Sequence, residues 1–305
     1  MTRRTLLAAP LFAAKPIRVA MVGTGHGHPL SKQKALAEAY LRHPPIELIA
    51  LEFAGAVENL ALAQRAIDAG KFVHLDKPPR ADLAGLRKLL ADAQRKRVVV
   101  PMGFQWRYDP AMKAVLAAAR QGWLGEVHRF RASIKKPILA AERQHLARYK
   151  GGMMFSEGCH LIDRATALLG KPTWVQSFIR HHGFNNDSLA DNNLVVLEYP
   201  HALAEISMGG FDPHGNQHRY VEVIGTNGSA NAPPFAPACL KVHLKAAAGP
   251  YKSGEQSFIS ADPPGLPYIP DFREMAAIIR LGQAPTYSAE HDLMTHAALL
   301  EACGM

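Results

Sequence analysis

The stretch Ile17-Arg18-Val19-Ala20-Met21-Val22-Gly23-Thr24-Gly25-His26-Gly27-His28 decides how this chain is read. Its apolar, partly β-branched first half predicts a buried strand, and the alternating glycines predict a tight turn at the strand's carboxyl end. Residues 31–41 supply good helix formers, and Pro44-Pro45 stops that helix before the strand-like Ile46-Glu47-Leu48-Ile49-Ala50-Leu51. Strand, glycine turn, helix and strand make one βαβ unit, in which backbone N–H groups at the turn can cradle a pyrophosphate. Gly23 permits the turn and Gly25 lets the backbone approach a phosphate, with Thr24, His26 and Gly27 completing the loop; His28 stands where the usual fingerprint has a third glycine. A strand-to-helix turn with no ligand is the competing reading. Glu52 ends the next strand and is the candidate for ribose hydroxyls, which would favour NAD over NADP; a solvated strand-end residue is the alternative.

Outward from this unit the alternation continues. Residues 56–69 place Leu60, Ala63 and Ile67 at helical spacing, with Gly70 as the stop. A short strand, Phe72-Val73-His74-Leu75, runs into Asp76-Lys77-Pro78-Pro79, where the prolines forbid further pairing. A helix over 81–96, closed by Arg95-Lys96-Arg97, and a strand at Val98-Val99-Val100-Pro101-Met102 follow. Strands alternating with helices predict a parallel, doubly wound sheet over residues 16–124. From about residue 125 the texture changes to longer strands, at 127–134, 193–199, 202–208 and 220–224, with helices at 158–169, 272–281 and 291–302. The expected fold class is therefore α/β followed by α+β: a Rossmann-type parallel sheet, then an open, mostly antiparallel sheet over 125–305 with helices on one face.

Composition narrows the function classes. At 305 residues, 48% hydrophobic and 20% charged, the chain has enough apolar surface for two cores without staples. The net charge of +9 is spread along the chain with no interleaved aromatics, which argues against nucleic-acid binding. Cys159, Cys239 and Cys303 lie far apart, and His181-His182, His201, His214 and His218 match no ligand template, so neither a disulfide framework nor a metal site is expected. Residues 1–15 join Arg3-Arg4 to the short apolar run Leu6-Leu7-Ala8-Ala9-Pro10-Leu11-Phe12-Ala13-Ala14, which reads as a twin-arginine export signal; a frayed cytoplasmic tail is the alternative. No later apolar stretch approaches the ~20 residues of a spanning helix.

Three ordered motifs, the glycine turn, Ala69-Gly70-Lys71-Phe72-Val73-His74-Leu75-Asp76-Lys77-Pro78, and Gly151-Gly152 through His160-Leu161-Ile162-Asp163, make the chain resemble the Gfo/Idh/MocA oxidoreductases from about Ile17 onward. Tyr220-Val221-Glu222-Val223-Ile224-Gly225-Thr226-Asn227-Gly228-Ser229 and Asp271-Phe272 are weaker echoes. The resemblance implies NAD or NADP as cofactor, a carbohydrate, polyol or sugar acid as substrate, and a homo-oligomer, dimer or tetramer, formed through the open sheet. Asp76-Lys77-Pro78 looks like the family's Glu-Lys-Pro motif, which gives Lys77 a place between nicotinamide and substrate. Burial and the cationic ring are expected to lower its pKa and let it exchange a proton. By the same resemblance His160 is the general base, and Asp163 holds the substrate or orients the histidine. Arg107, in Phe104-Gln105-Trp106-Arg107-Tyr108, either binds cofactor or substrate or pairs with a carboxylate between domains.

Two departures from the pattern stand out. The carboxylate that related dehydrogenases carry four residues before the histidine is Ser156 here, and a one-residue offset turns Glu157 about 100° round an α-helix. Mean element lengths also predict that one βα unit is missing between the glycine turn and Lys77. Three functions stay open: hydride transfer at a sugar or polyol carbon, an NAD-dependent glycoside hydrolase, and a non-catalytic sugar- or cofactor-binding relative.

Overall fold

The computed structural model describes residues 21–22, 51–52, 57–79, 82–233, 239–259 and 269–305, together with the backbone alone at a few of these positions. The export signal at 1–15, the nucleotide loop from Gly23 to His28 and the expected shortening of the first domain lie outside the described residues.

Three two-residue strands form a parallel sheet in the order β1 (Met21–Val22), β2 (Leu51–Glu52), β3 (His74–Leu75). Residues 98–102 run alongside β3: Leu75 bridges Met102 in parallel, the Leu75 N–H donates to Pro101 O at 2.9 Å, and the Gly103 N–H donates to Leu75 O at 2.8 Å. Helices α1 (Val57–Asp68) and α2 (Leu83–Arg95) pack beside this sheet, Ile67, Leu86 and Leu89 being fully enclosed. Asp82 caps α2 by accepting from the Gly85 N–H, which satisfies one of the amides that a helix start leaves open.

The strand order corrects the reading of Glu52. β2 lies between the first strand and the strand that carries Lys77. In the usual doubly wound order the ribose acid ends the strand on the opposite side of the first. Glu52 therefore ends a strand on the nicotinamide side of the sheet, where no adenosine ribose would reach it.

The second sheet has eight strands: β4 (Val127–Lys135), β5 (Trp174–Arg180), β6 (Asn192–Tyr199), β7 (Ala202–Gly209), β8 (Tyr220–Gly225), β9 (Gly228–Ala232), β10 (Cys239–Leu244) and β11 (Gly254–Ile259). They lie in the order β11-β10-β9-β8-β4-β7-β6-β5, antiparallel except for the β4–β7 pair. One face is apolar, with Phe130, Ala132, Val195, Leu197, Ile206, Val221 and Val223 buried. Against it pack α3 (Pro110–Arg120) and α5 (Cys159–Leu169). The other face carries charge, Arg131 lying 3.2 Å from Glu222 and 3.6 Å from Glu205. Alternation with period two produces this division, each inward phenylalanine or leucine contributing about 1.5–3 kcal/mol of burial.

The short helix α4 (Ala140–Leu146) follows β4, and α6 (Ile269–Leu281) and α7 (Ala289–Ala302) close the chain. The sequence reading lacked α3, α4, β5 and the β9–β11 meander. Asp109 and Pro110 are nevertheless a legible start for α3, the Asp109 carboxylate accepting from the Met112 N–H at 2.8 Å and Pro110 filling the first turn.

Candidate active site

The two parallel strands end together, and the chain leaves them as Asp76-Lys77 on one side and Gly103-Phe104 on the other. A side chain at Gly103 would have its Cβ 2.9 Å from His74 Cε1 and 3.3 Å from Asp76 Oδ1, so the close approach requires glycine here. Asp76 accepts the Lys77 backbone N–H at 3.0 Å, the Lys77–Pro78 peptide is cis, and Lys77 is buried. Its ammonium donates to Ser156 O at 2.8 Å.

Ser156 belongs to a π turn, Met154–Gly158, that leads into α5. Gly151 and Gly152 precede it with φ of +85° and +51°. Cys159 and His160 open α5; the Cys159 thiol donates to the same Ser156 oxygen at 3.2 Å, so Lys77 and the start of α5 share an acceptor. His160 is 1% exposed. Its ring stacks on Trp106 at 4.8 Å and 13° and meets the edge of Phe104 at 5.8 Å. Trp106 sits on the 3₁₀ turn Gln105–Tyr108, immediately beyond the strand beside β3. Lys77 and His160, remote in sequence, thus converge at the carboxyl ends of the parallel strands, where open α/β sheets bind ligands.

The electrostatics differ from the expectation for Lys77. Burial does pull its ammonium down, but Cys159, Glu157 and Asp76 outweigh that effect and hold the pKa above the ordinary lysine value. The Cys159 thiol is itself pushed up to about 12, chiefly by burial. Burial pushes Glu157 up as well, yet Lys77, Lys136 and His160 bring it down to about 2. Glu157 is therefore not turned away from the site. It stands in a π turn, not the regular α-helix that the sequence suggested, and meets the Lys136 ammonium. Lys136, which sequence reasoning missed, follows β4, donates its N–H to Gly209 O at 3.0 Å, and sets its ammonium 3.3 Å from Glu157 and 2.6 Å from Glu142 of α4. No sequence signal singles it out, because a lysine after a strand is ordinarily a solvated residue.

Arg107 takes one of its two expected parts, with Asp163 as a partner. Both are almost fully buried. The Arg107 fork donates to Asp163 through Nε at 3.2 Å and Nη2 at 2.7 Å, and to Asp292 of α7 at 2.5 Å. Asp163 also accepts from Arg164 and lies 3.0 Å from the His291 ring nitrogen. Arg107 and Arg164 both stack over the Tyr287 ring, at 4.2 and 5.0 Å. With its oxygens taken by three cationic or imidazole side chains, Asp163 is held well below the ordinary carboxylate range, since these charges outweigh its burial. Of the two readings of Arg107, pairing with a carboxylate is the one the geometry supports, its donors facing Asp163 and Asp292.

Among the described residues no group of three or more histidine, cysteine or carboxylate side chains could hold a metal, and no helix is long and apolar enough to cross a membrane.

The family model described as the GFO/IDH/MocA C-terminal domain matches residues 112–231. The uncharacterized oxidoreductase YrbE of Bacillus subtilis (strain 168) is 26% identical over 208 residues, 66% of this chain and 60% of that protein. The trans-1,2-dihydrobenzene-1,2-diol dehydrogenase of Homo sapiens is 25% identical over 175 residues, 57% of this chain and 51% of that enzyme. The chain thus spans only part of the length of the relatives it matches. GenD2 from gentamicin A biosynthesis, crystallised in complex with NAD, has the same fold with a TM-score of 0.75 at 20% identity, over 98% of this chain and 96% of that one. Over residues 112–231 the chain is thus similar to the C-terminal domain of the GFO/IDH/MocA proteins, and its fold is that of the NAD-bound GenD2.

Proposed function

We propose that the protein is an NAD(P)-dependent oxidoreductase that transfers hydride between the nicotinamide and a carbon bearing a hydroxyl in a carbohydrate, polyol or sugar acid. The observation that carries this reading is the meeting of Lys77 and the Trp106-stacked His160 at the carboxyl ends of the parallel strands. The relative named for a trans-1,2-diol supports a substrate with adjacent hydroxyls, a feature shared by sugars and polyols.

The described residues fit the nicotinamide end of a dinucleotide. A buried ammonium, a buried imidazole and an indole face border the strand ends, and Gly103 leaves no side chain there. The pyrophosphate end falls to Gly23, Thr24, Gly25, His26, Gly27 and His28. The cofactor, when bound, accepts or supplies the hydride. Lys77 donates a hydrogen bond to the reacting oxygen, and His160, whose imidazole suits proton transfer at neutral pH, takes the hydroxyl proton during oxidation. Phe104 and Trp106 hold the His160 ring in one orientation and exclude water from one side.

Export as a folded holoprotein through Arg3-Arg4 and association through the outer face of the second sheet belong to the same reading. Trp174, Phe178 and Leu194 lie exposed on neighbouring strands at that sheet's β5 edge. Light scattering of the purified protein is expected to give the mass of a dimer or tetramer.

The test is calorimetric titration with NADH and NADPH, followed by cofactor absorbance with a panel of sugars and polyols. Lys77→Ala is expected to retain dinucleotide affinity and to lose at least about a hundredfold in turnover. Absence of heat with either dinucleotide removes the redox role. Binding without turnover of any substrate favours the non-catalytic relative, the reading to which Ser156 lends weight.

A further inference from the structure

The imidazole of His160 lies against an indole. The Trp106 ring is stacked on it with 4.8 Å between centroids and 13° between planes, and Phe104 meets it at 5.8 Å and 78°. An ion pair fixes the indole there. Trp106 and Arg107 are consecutive on the 3₁₀ turn Gln105–Tyr108, and Arg107 donates to Asp163, three residues beyond His160 on α5. The same guanidinium sits over the Phe104 ring at 4.7 Å and reaches Asp292 of α7. Residues three apart share a helix face, so the Arg107–Asp163 pair clamps the turn onto the face of α5 that carries His160. One helical turn from the clamp, the indole comes down on the imidazole.

We infer that Trp106 is a positioning residue whose π face stabilises the imidazolium form of His160. Its part in turnover rests on the oxidoreductase reading; the coupling of the two rings does not. In oxidation of an alcohol the hydroxyl proton passes to a ring nitrogen of His160, while the hydride leaves the same carbon for the nicotinamide. The ring thus turns from neutral to positive during the step, in a place where burial disfavours charge. An indole face attracts a cation lying over it, most strongly where water is excluded, and does less for a neutral ring. The contact is therefore stronger after proton transfer than before it, which is the condition for lowering a barrier. Stacking takes up a face of the imidazole and leaves its plane, in which both nitrogens lie, for the proton. The titratable and charged groups on the elements around that ring are Glu157 of the π turn, Cys159 and Asp163 of α5, Asp76 and Lys77 at the end of β3, Arg107, and His291, Asp292 and His296 of α7. All of them are retained when Trp106 alone is replaced, so a change in His160 then belongs to the indole.

The experiment is a pH titration of the full-length protein, read by tryptophan fluorescence and by NMR of the histidine rings, with His160 assigned through His160→Gln. A protonated imidazole in contact with an indole quenches its emission. The Trp106 contribution, taken as the difference between the unaltered protein and Trp106→Phe, is expected to drop as pH falls through the His160 midpoint, and the drop to be missing in His160→Gln. In Trp106→Leu the His160 midpoint is expected to fall by at least about half a pH unit, and Trp106→Phe, which still offers a π face, to recover part of that shift. Turnover of Trp106→Leu in the oxidation direction is expected to fall about threefold or more with dinucleotide Kd unchanged. The acid limb of its pH profile should move down with the His160 midpoint, which a residue that only fills space would not produce. A His160 midpoint that does not move in folded Trp106→Leu overturns the inference. If that variant does not fold, Trp106 emission without a His160-dependent step in the unaltered protein overturns it equally. Failure of the protein to bind either dinucleotide sinks the oxidoreductase reading by itself and leaves the ring titration to decide on Trp106.

Discussion

Arg107 shows how one side chain can be read two ways until its neighbours are known. A guanidinium after a strand end suits a phosphate as well as a carboxylate, because its donor fork fits either. In the fold it meets Asp163 and Asp292, both buried, and its own charge is held firmly on by them against desolvation. Removing it leaves two carboxylates enclosed without their partner, so Arg107→Ala is expected to cost about 3–5 kcal/mol, read from the urea midpoint. Asp163 and Asp292 are pushed in opposite directions, Asp163 down by Arg107 and Arg164 and Asp292 up by burial. Because the folded-state pKa of Asp163 is depressed, its contribution is complete above its unfolded value of about 3.9 and is lost as pH falls below that toward the folded value. Urea midpoints at descending pH should therefore drop below about pH 4, and Asp163→Asn, weaker at neutral pH, should lose less over the same interval. None of this was visible from Asp163 alone, since an aspartate three residues after a histidine on a helix carries no mark of the two guanidinium groups and the imidazole that surround it.

The turn between Gly151 and Cys159 is the element on which the site depends. Gly151 and Gly152 both take left-handed backbone, and both are crowded. A Cβ on Gly151 would lie 2.3 Å from the Cys303 sulfur and one on Gly152 2.6 Å from Ala190 O. Gly151→Ala is expected to destabilise by at least about 2 kcal/mol, the sum of an unfavourable φ and an overpacked contact, measurable by thermal or urea unfolding. The glycine pair and the histidine were legible in the sequence as a motif. The π turn between them was not, because local propensity does not distinguish it from an α-helical turn. The strand carrying Lys77 was legible for a different reason: the prolines at 78 and 79 end pairing whatever the surroundings. The helix α3 was also within reach, since an aspartate followed by proline at a helix start is a local signal.

At the scale of the whole molecule, the C-terminal helices return to tie the two sheets together. In α6, Asp271 lies 3.4 Å from buried His74 of β3, and Glu274 accepts from the Tyr108 hydroxyl, which lies on the same turn as Arg107. In α7, Asp292 completes the Arg107 pair, and Thr295 meets Thr166 of α5 at 2.8 Å. These polar contacts join segments that flank the two sheets and are expected to make unfolding a single event. Far-ultraviolet circular dichroism and tryptophan fluorescence should give coincident urea transitions, and separated transitions would show that the sheets unfold independently. The sequence by itself determined the layered architecture, the point where the parallel sheet releases Lys77, and the histidine that opens α5, because hydrophobic period, proline and glycine act through neighbours in the chain. Only the tertiary structure decided that Glu157 pairs with Lys136, that Arg107 pairs with Asp163 and Asp292, and on which side of the first strand Glu52 lies. Those outcomes depend on charges and strands brought together from distant segments, and Coulomb interaction and burial are properties of separation in space, on which sequence distance is silent.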